Sequence, residues 1–139
     1  GEFEVGNLEA KTTKCETTSG NIIIENLKTN KIEMKSISGE ARIDGDIRSI
    51  DAETTSGDID IKTIKLEGNV NIKTVSGEIK LDLPEDSSFE FTSKTVSGTL
   101  DTQFEFTNIK INKNKSIGTK GNGKYQVELE TVSGDITIY

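Results

Sequence analysis

TTSGDI at Thr54 to Ile59, TVSGEI at Thr74 to Ile79 and TVSGDI at Thr131 to Ile136 are near copies of one string. The same frame returns as TTSGNI at Thr17 to Ile22, SISGEA at Ser36 to Ala41 and TVSGTL at Thr95 to Leu100. Its glycines are Gly20, Gly39, Gly57, Gly77, Gly98 and Gly134, spaced 19, 18, 20, 21 and 36 residues apart. A unit of 18–21 residues is too short to bury an apolar face alone, so a chain built this way must stack its units.

Aligning the copies on Ser-Gly sorts the flanks into columns. Six before the serine stand Thr13, Ile32, Ile50, Val70, Phe91 and Val127, and four before it Cys15, Met34, Ala52, Ile72, Ser93 and Leu129. Two after the glycine stand Ile22, Ala41, Ile59, Ile79, Leu100 and Ile136, and four after it Ile24, Ile43, Ile61, Leu81, Thr102 and Ile138. Polar residues separate these columns, which is the period-two alternation of half-buried strands. Ile, Val and Thr favour strands, and the recurring glycine stops any long helix. Each unit is therefore two short strands joined at Ser-Gly, where a glycine permits a sharp change of direction.

Like columns over like columns predict an all-β domain covering residues 1–139. The expected form is a parallel β-solenoid, a right-handed β-helix of about six rungs, with strands about 4.8 Å apart. An antiparallel sandwich with a hairpin at each Ser-Gly is the competing form, but it does not require the same residue type at each offset. Two further columns are read as facing outward. Three before the serine, Glu16, Lys35, Glu53 and Lys73 alternate in sign and are followed by Lys94 and Glu130. Two before it, Thr17, Ser36, Thr54, Thr74, Thr95 and Thr131 form a hydroxyl ladder.

Composition excludes several functions. The chain has no His and one Cys, so a Cys/His zinc site and a Ser-His-Asp or Cys-His couple are unavailable. A net charge of −7 and the absence of Trp argue against binding phosphate backbones or anionic lipid. There is no apolar run long enough for a membrane-spanning helix. Opening on GEFEVGNLEA, already strand-like, the chain reads as a domain excised from a longer precursor, and a single Cys leaves the redox compartment open.

Residues 103–124 break the frame as an irregular rung or insertion. FEFTNIKINKNK alternates Phe104, Phe106, Ile109 and Ile111 and so predicts another strand, and GTKGNGK from Gly118 to Lys124 reads as a turn. Lys110, Lys113, Lys115, Lys120 and Lys124 give this stretch a basic character, and Lys113, Lys115, Lys120 and Lys124 are candidate ligand contacts for an anionic polymer. Cys15 lies in an inward column and reads as a core residue, and Tyr125 and Tyr139 as caps or partner contacts. Acidic residues one after the glycine, among them Asp58, Glu78 and Asp135, read as solubilising charge rather than a cation site. No catalytic, metal or cofactor-binding residue is expected. Carboxylates that follow the repeat do not make the unique pair a glycosidase needs.

The repeated TVSGDI and TVSGEI strings resemble the bacterial β-strand-repeat family known as putative adhesins, a domain of unknown function. LDLPEDSSFEFTSKTVSGTL, from Leu81 to Leu100, is similar to that family's leucine-proline step before a TVSG rung. GNGKYQVELETVSGDITIY, from Gly121 to Tyr139, is similar to its glycine-rich loop and closing rung. The resemblance implies a β-helical fold and association with the cell surface or envelope, and it carries no catalytic residues. The expected function is a non-enzymatic binding platform for a glycan, cell-wall polymer, peptide or protein, with no cofactor and no nucleic acid. A structural spacer for other domains of the precursor is the second expectation, and a polysaccharide-active enzyme the third.

Overall fold

Alternating apolar and charged residues can hide their apolar side only in extended strands, and the chain complies. The computed structural model describes residues 3–103, 106–112 and 114–139. Among them are twelve strands and no helix. Four come before the fourth repeat: β1 (Phe3–Thr17), β2 (Ile22–Ser38), β3 (Ala41–Ser56) and β4 (Ile59–Thr63). They are followed by β5 (Val70–Ser76), β6 (Ile79–Asp82), β7 (Phe89–Ser97) and β8 (Leu100–Thr102). The last four are β9 (Thr107–Ile111), β10 (Lys115–Lys120), β11 (Tyr125–Ser133) and β12 (Ile136–Ile138).

All twelve belong to one mostly parallel sheet. Strands on either side of each Ser-Gly pair in parallel with their equivalents in other repeats, which excludes the sandwich of hairpins. The register is that of the sequence columns: Ile32 aligns with Ile50, Ile50 with Val70, Val70 with Val127 and Val127 with Phe91.

The order of stacking departs from the order of the chain. Before the turns the neighbours run β1, β2, β3, β5, β11, β7, and after them β3, β4, β6, β12, β8. The sixth repeat, β11 and β12, thus stands between the fourth and the fifth. The chain leaves β6, skips one strand position to lay down β7 and β8, and returns to fill the gap with its last 15 residues. Two antiparallel strands, β10 and β9, extend the sheet beyond β7. Phe106 packs there against Phe91, centroids 4.6 Å apart, and edge-on to Phe89, 5.9 Å away, closing that end of the core. At the other end, among the described residues, β1 pairs with β2 alone.

The sheet curls because inward alternation is reset along the long strands. In β2 the buried residues are Ile22 and Ile24, then Leu27 and Thr29, then Ile32, Met34 and Ser36. Adjacent exposed pairs, Glu25–Asn26 and Asn30–Lys31, interrupt them. Asn26 has a positive φ of 52°, a conformation that Asn tolerates better than most residues, and Asn7 repeats it at 57° in β1. The core inside the curl is aliphatic, built mainly from Ile with Phe89 and Phe91 at the capped end.

The Ser-Gly turns need their glycines for two reasons. Gly77 has φ +142°, and a Cβ on it would sit 2.0 Å from the carbonyl oxygen of Gly57. The next glycine in the stack is Gly134, whose Cβ would meet the Gly77 oxygen at the same distance.

The threonine column corrects an expectation. Thr54, Thr74, Thr95 and Thr131 point inward and are buried, rather than lining the surface. Alternation places the residue two before the serine on the same side as those four and six before it, and that parity outweighs the hydroxyl's preference for water.

Candidate binding face

Turning the threonines inward turns their neighbours outward. The residue one before each serine is Thr18, Ile37, Thr55, Val75, Val132 and Val96 in stacking order, and all six are exposed. Val96 is 68% exposed and Ile37 56%, unusual values for β-branched apolar residues held in a regular sheet. β10 flanks β7 up to Lys115 opposite Lys94, and the Thr95 N–H donates to the Asn114 carbonyl just beyond.

Beside this stripe runs the charged column three before the serine. Strand register places Glu16 against Lys35, Lys35 against Glu53, Glu53 against Lys73, Lys73 against Glu130 and Glu130 against Lys94. In space the signs alternate without a break across all six strands. Chain order would have set Lys73 beside Lys94, and inserting β11 between β5 and β7 removes that clash. Such exposed pairs are each worth a few tenths of a kcal/mol. Their regularity matters more, since it gives the face a fixed pattern of charge.

Shallow open grooves run between the columns. One of about 280 Å³ lies between Lys14, Glu33 and Asp51 on one side and Glu16, Lys35 and Glu53 on the other. A second, of about 480 Å³, separates the charged column from Thr18, Ile37 and Thr55. A larger one, about 540 Å³, opens on another side of the curl between Glu9, Lys11, Lys28, Asp46 and Arg48. All three are troughs on a ridged surface.

The polar residues after each glycine do structural work. Asn21 Oδ1 accepts the backbone N–H of Glu40 at 3.1 Å, and Asp58 Oδ1 that of Glu78 at 2.9 Å. Asp135 Oδ1 accepts both the N–H and the hydroxyl of Thr99, at 3.0 and 3.1 Å. Short Asx side chains thus tie one turn to the next at alternate positions in the stack. Among the described residues no three acidic, Cys or His side chains converge as metal ligands would.

The lysines named as ligand contacts are spread out. Lys113 lies outside the described residues. Lys115 is exposed at the start of β10. Lys120, at its other end, donates through Nζ to the carbonyls of Glu85 and Ser87 and fastens the hairpin to the loop before β7. Lys124 lies 5.3 Å from the Tyr125 ring centroid in a cation–π contact. Cys15 is buried, and desolvation raises its thiol above the ordinary value of 9.0, away from the thiolate form a nucleophile needs. Tyr125 packs on the core, and the Tyr139 main chain bonds Leu81 and Leu83 on β6 and beyond.

The chain belongs to the Toastrack DUF4097 family. The family match runs over residues 1–139. No curated protein matches this Toastrack domain. A crystal structure of a putative cell adhesion protein from Clostridium sporogenes ATCC 15579 superposes on it with a TM-score of 0.63. That match has 15% identity and covers 98% of this chain and 92% of the other. At such identity the likeness shows a shared fold. The adhesion description belongs to the neighbour.

Proposed function

We propose that this Toastrack domain is a non-enzymatic binding platform displayed at the bacterial cell surface or envelope. In this reading the curled sheet is a β-solenoid, and its contact surface is the outer face of β1, β2, β3, β5, β11 and β7. The observation that carries it is the stripe of Ile37, Val75, Val132 and Val96 exposed beside an unbroken alternation of Glu and Lys. A row of exposed Ile and Val side chains adds nothing to a buried core, whereas a face that meets another surface can use it. The fold shared with a putative cell adhesion protein supports the same reading.

A platform is tested by binding. Purified domain should co-sediment with isolated bacterial cell walls or be retained on a panel of immobilised wall glycans. Val75→Glu, which plants a charge in the stripe without touching the core, should lose most of that binding. Equal retention of both proteins, or none of either, overturns the reading and leaves the rigid continuous sheet as a spacer between other parts of a longer protein. Proteolysis of intact host cells tests the location separately, with shedding of the domain expected before lysis.

A further inference from the structure

The alternating column has a symmetry property that depends on its length and on its order in space. On the six parallel strands the members, Glu16, Lys35, Glu53, Lys73, Glu130 and Lys94, read as the opposite signs when reversed, while Lys115 on antiparallel β10, opposite Lys94, lies outside that row of six. An even alternating row is therefore complementary to its own reverse. In chain order, with Lys94 before Glu130, it is not. We propose that the partner of this face is a second copy of the same chain, docked about a twofold axis that runs along the strands between β3 and β5. The inference rests on the reading of this face as a contact surface and names its occupant.

Such an axis reverses the order of strands while keeping each column opposite itself, which is the isologous arrangement of most homodimers. Glu16 then faces Lys94 of the second copy, Lys35 faces Glu130 and Glu53 faces Lys73. The adjacent column meets itself as well: Thr18 faces Val96, Ile37 faces Val132 and Thr55 faces Val75. Every pair in that row joins an exposed Val to an exposed Ile or Thr side chain. The unreversed arrangement sets Glu on Glu and Lys on Lys, so the charges select one geometry and reject the other. In the column five before the serine, Glu33 faces Glu128, a like pair. Lys31, whose Nζ lies 3.3 Å from Glu33, offsets it. The net charge of −7 on each copy repels at long range. A screening length of about 8 Å at physiological salt weakens that repulsion while leaving facing pairs intact.

Six strands about 4.8 Å apart and roughly six residues along each give a face of about 500 Å² per copy. That lies at the small end of specific interfaces and fits a weak, reversible dimer. Packed sheets cross at about 30°, so contact is densest at the middle, on Glu53, Lys73, Thr55 and Val75.

The test is sedimentation equilibrium of the whole chain over about 10 µM to about 1 mM, the range of weak dimers. Wild type should be dimeric in the upper part of that range. Lys73→Glu and Glu53→Lys, each alone, place like charges opposite each other twice and should weaken association roughly tenfold or more. Mixed in equal amounts, the two variants restore both pairs and should form a heterodimer. Circular dichroism melts check that both variants fold. If either does not, Lys35→Glu and Glu130→Lys make the same complementary pair further from the centre. A monomeric wild type, variants that dimerise as tightly as wild type, or a mixture that stays monomeric overturns the inference. Monomers that still bind cell walls sink the dimer and leave the platform standing, whereas a dimer that binds no wall or glycan does the reverse.

Discussion

Gly77 and Thr74 stand in the same strand-and-turn unit and answer to different constraints. Gly77→Ala puts a methyl 2.0 Å from the Gly57 oxygen at a φ that side chains avoid. Backbone must move in two repeats at once, and a loss of about 3 kcal/mol is expected from urea denaturation. Gly6→Ala is the control, since nothing lies within 4 Å of the added Cβ, and its stability should stay within about 0.5 kcal/mol of wild type. Thr74 works the other way. Its buried hydroxyl oxygen has no hydrogen-bond partner among the described residues, as is true of Thr54, Thr95 and Thr131. Thr74→Val keeps the shape and removes the unpaired oxygen, so it should stabilise the domain by about 1 kcal/mol. A destabilised Thr74→Val would mean that the hydroxyl is satisfied in solution. At this scale the sequence was nearly sufficient. Ser-Gly and the apolar columns were legible as written. The side occupied by Thr74 and Val75 followed from counting by twos, but chemical character, a hydroxyl against a methyl, pointed the other way and put the threonine column on the outside.

Elements show what counting by twos cannot reach. Each repeat was legible as two strands about a turn, and β9 appears within the stretch whose alternation predicts a strand, whereas β10 takes in Gly118, Thr119 and Lys120, which composition assigns to a turn, and leaves only residues 121–124 of that turn outside the strands. The place of β11 between β5 and β7 was not read, because local pattern fixes a strand and its inward side but not its neighbour. One signal was present: Glu16, Lys35, Glu53 and Lys73 alternate, and then Lys94 and Glu130 come in the wrong order for sequential stacking. Removing residues 125–139 tests the insertion. In a linear stack, loss of the last repeat removes one unit and spares the rest. Here it strips β5 and β7 of their shared partner and β6 and β8 of theirs. The shortened chain should lose cooperative unfolding altogether, seen as a broad, sloping urea curve by circular dichroism. A sharp transition at modestly reduced stability would show that repeats one to four stand alone.

For the whole molecule, one continuous sheet closed from within should unfold as a unit. Tyr125 and Tyr139 both lie in the sixth repeat, and the chain has no Trp, so tyrosine fluorescence reports that repeat. Circular dichroism reports the entire sheet. The two urea curves should coincide. Fluorescence lost at lower urea would mean that β11 and β12 detach before the remainder. The candidate site is likewise a property of the whole: no single repeat contains it, and the charge pattern exists only after the sixth repeat has been inserted.

The same inserted strand bears on what happens under tension. A load applied at Tyr139 pulls along β12 and then β11, each gripped on both sides, so two ladders of hydrogen bonds must shear together. A load applied at Phe3 pulls on β1, which is gripped on one side by β2. The domain is therefore a fastener with a strong end and a weak end, and the direction of pull decides which of them yields.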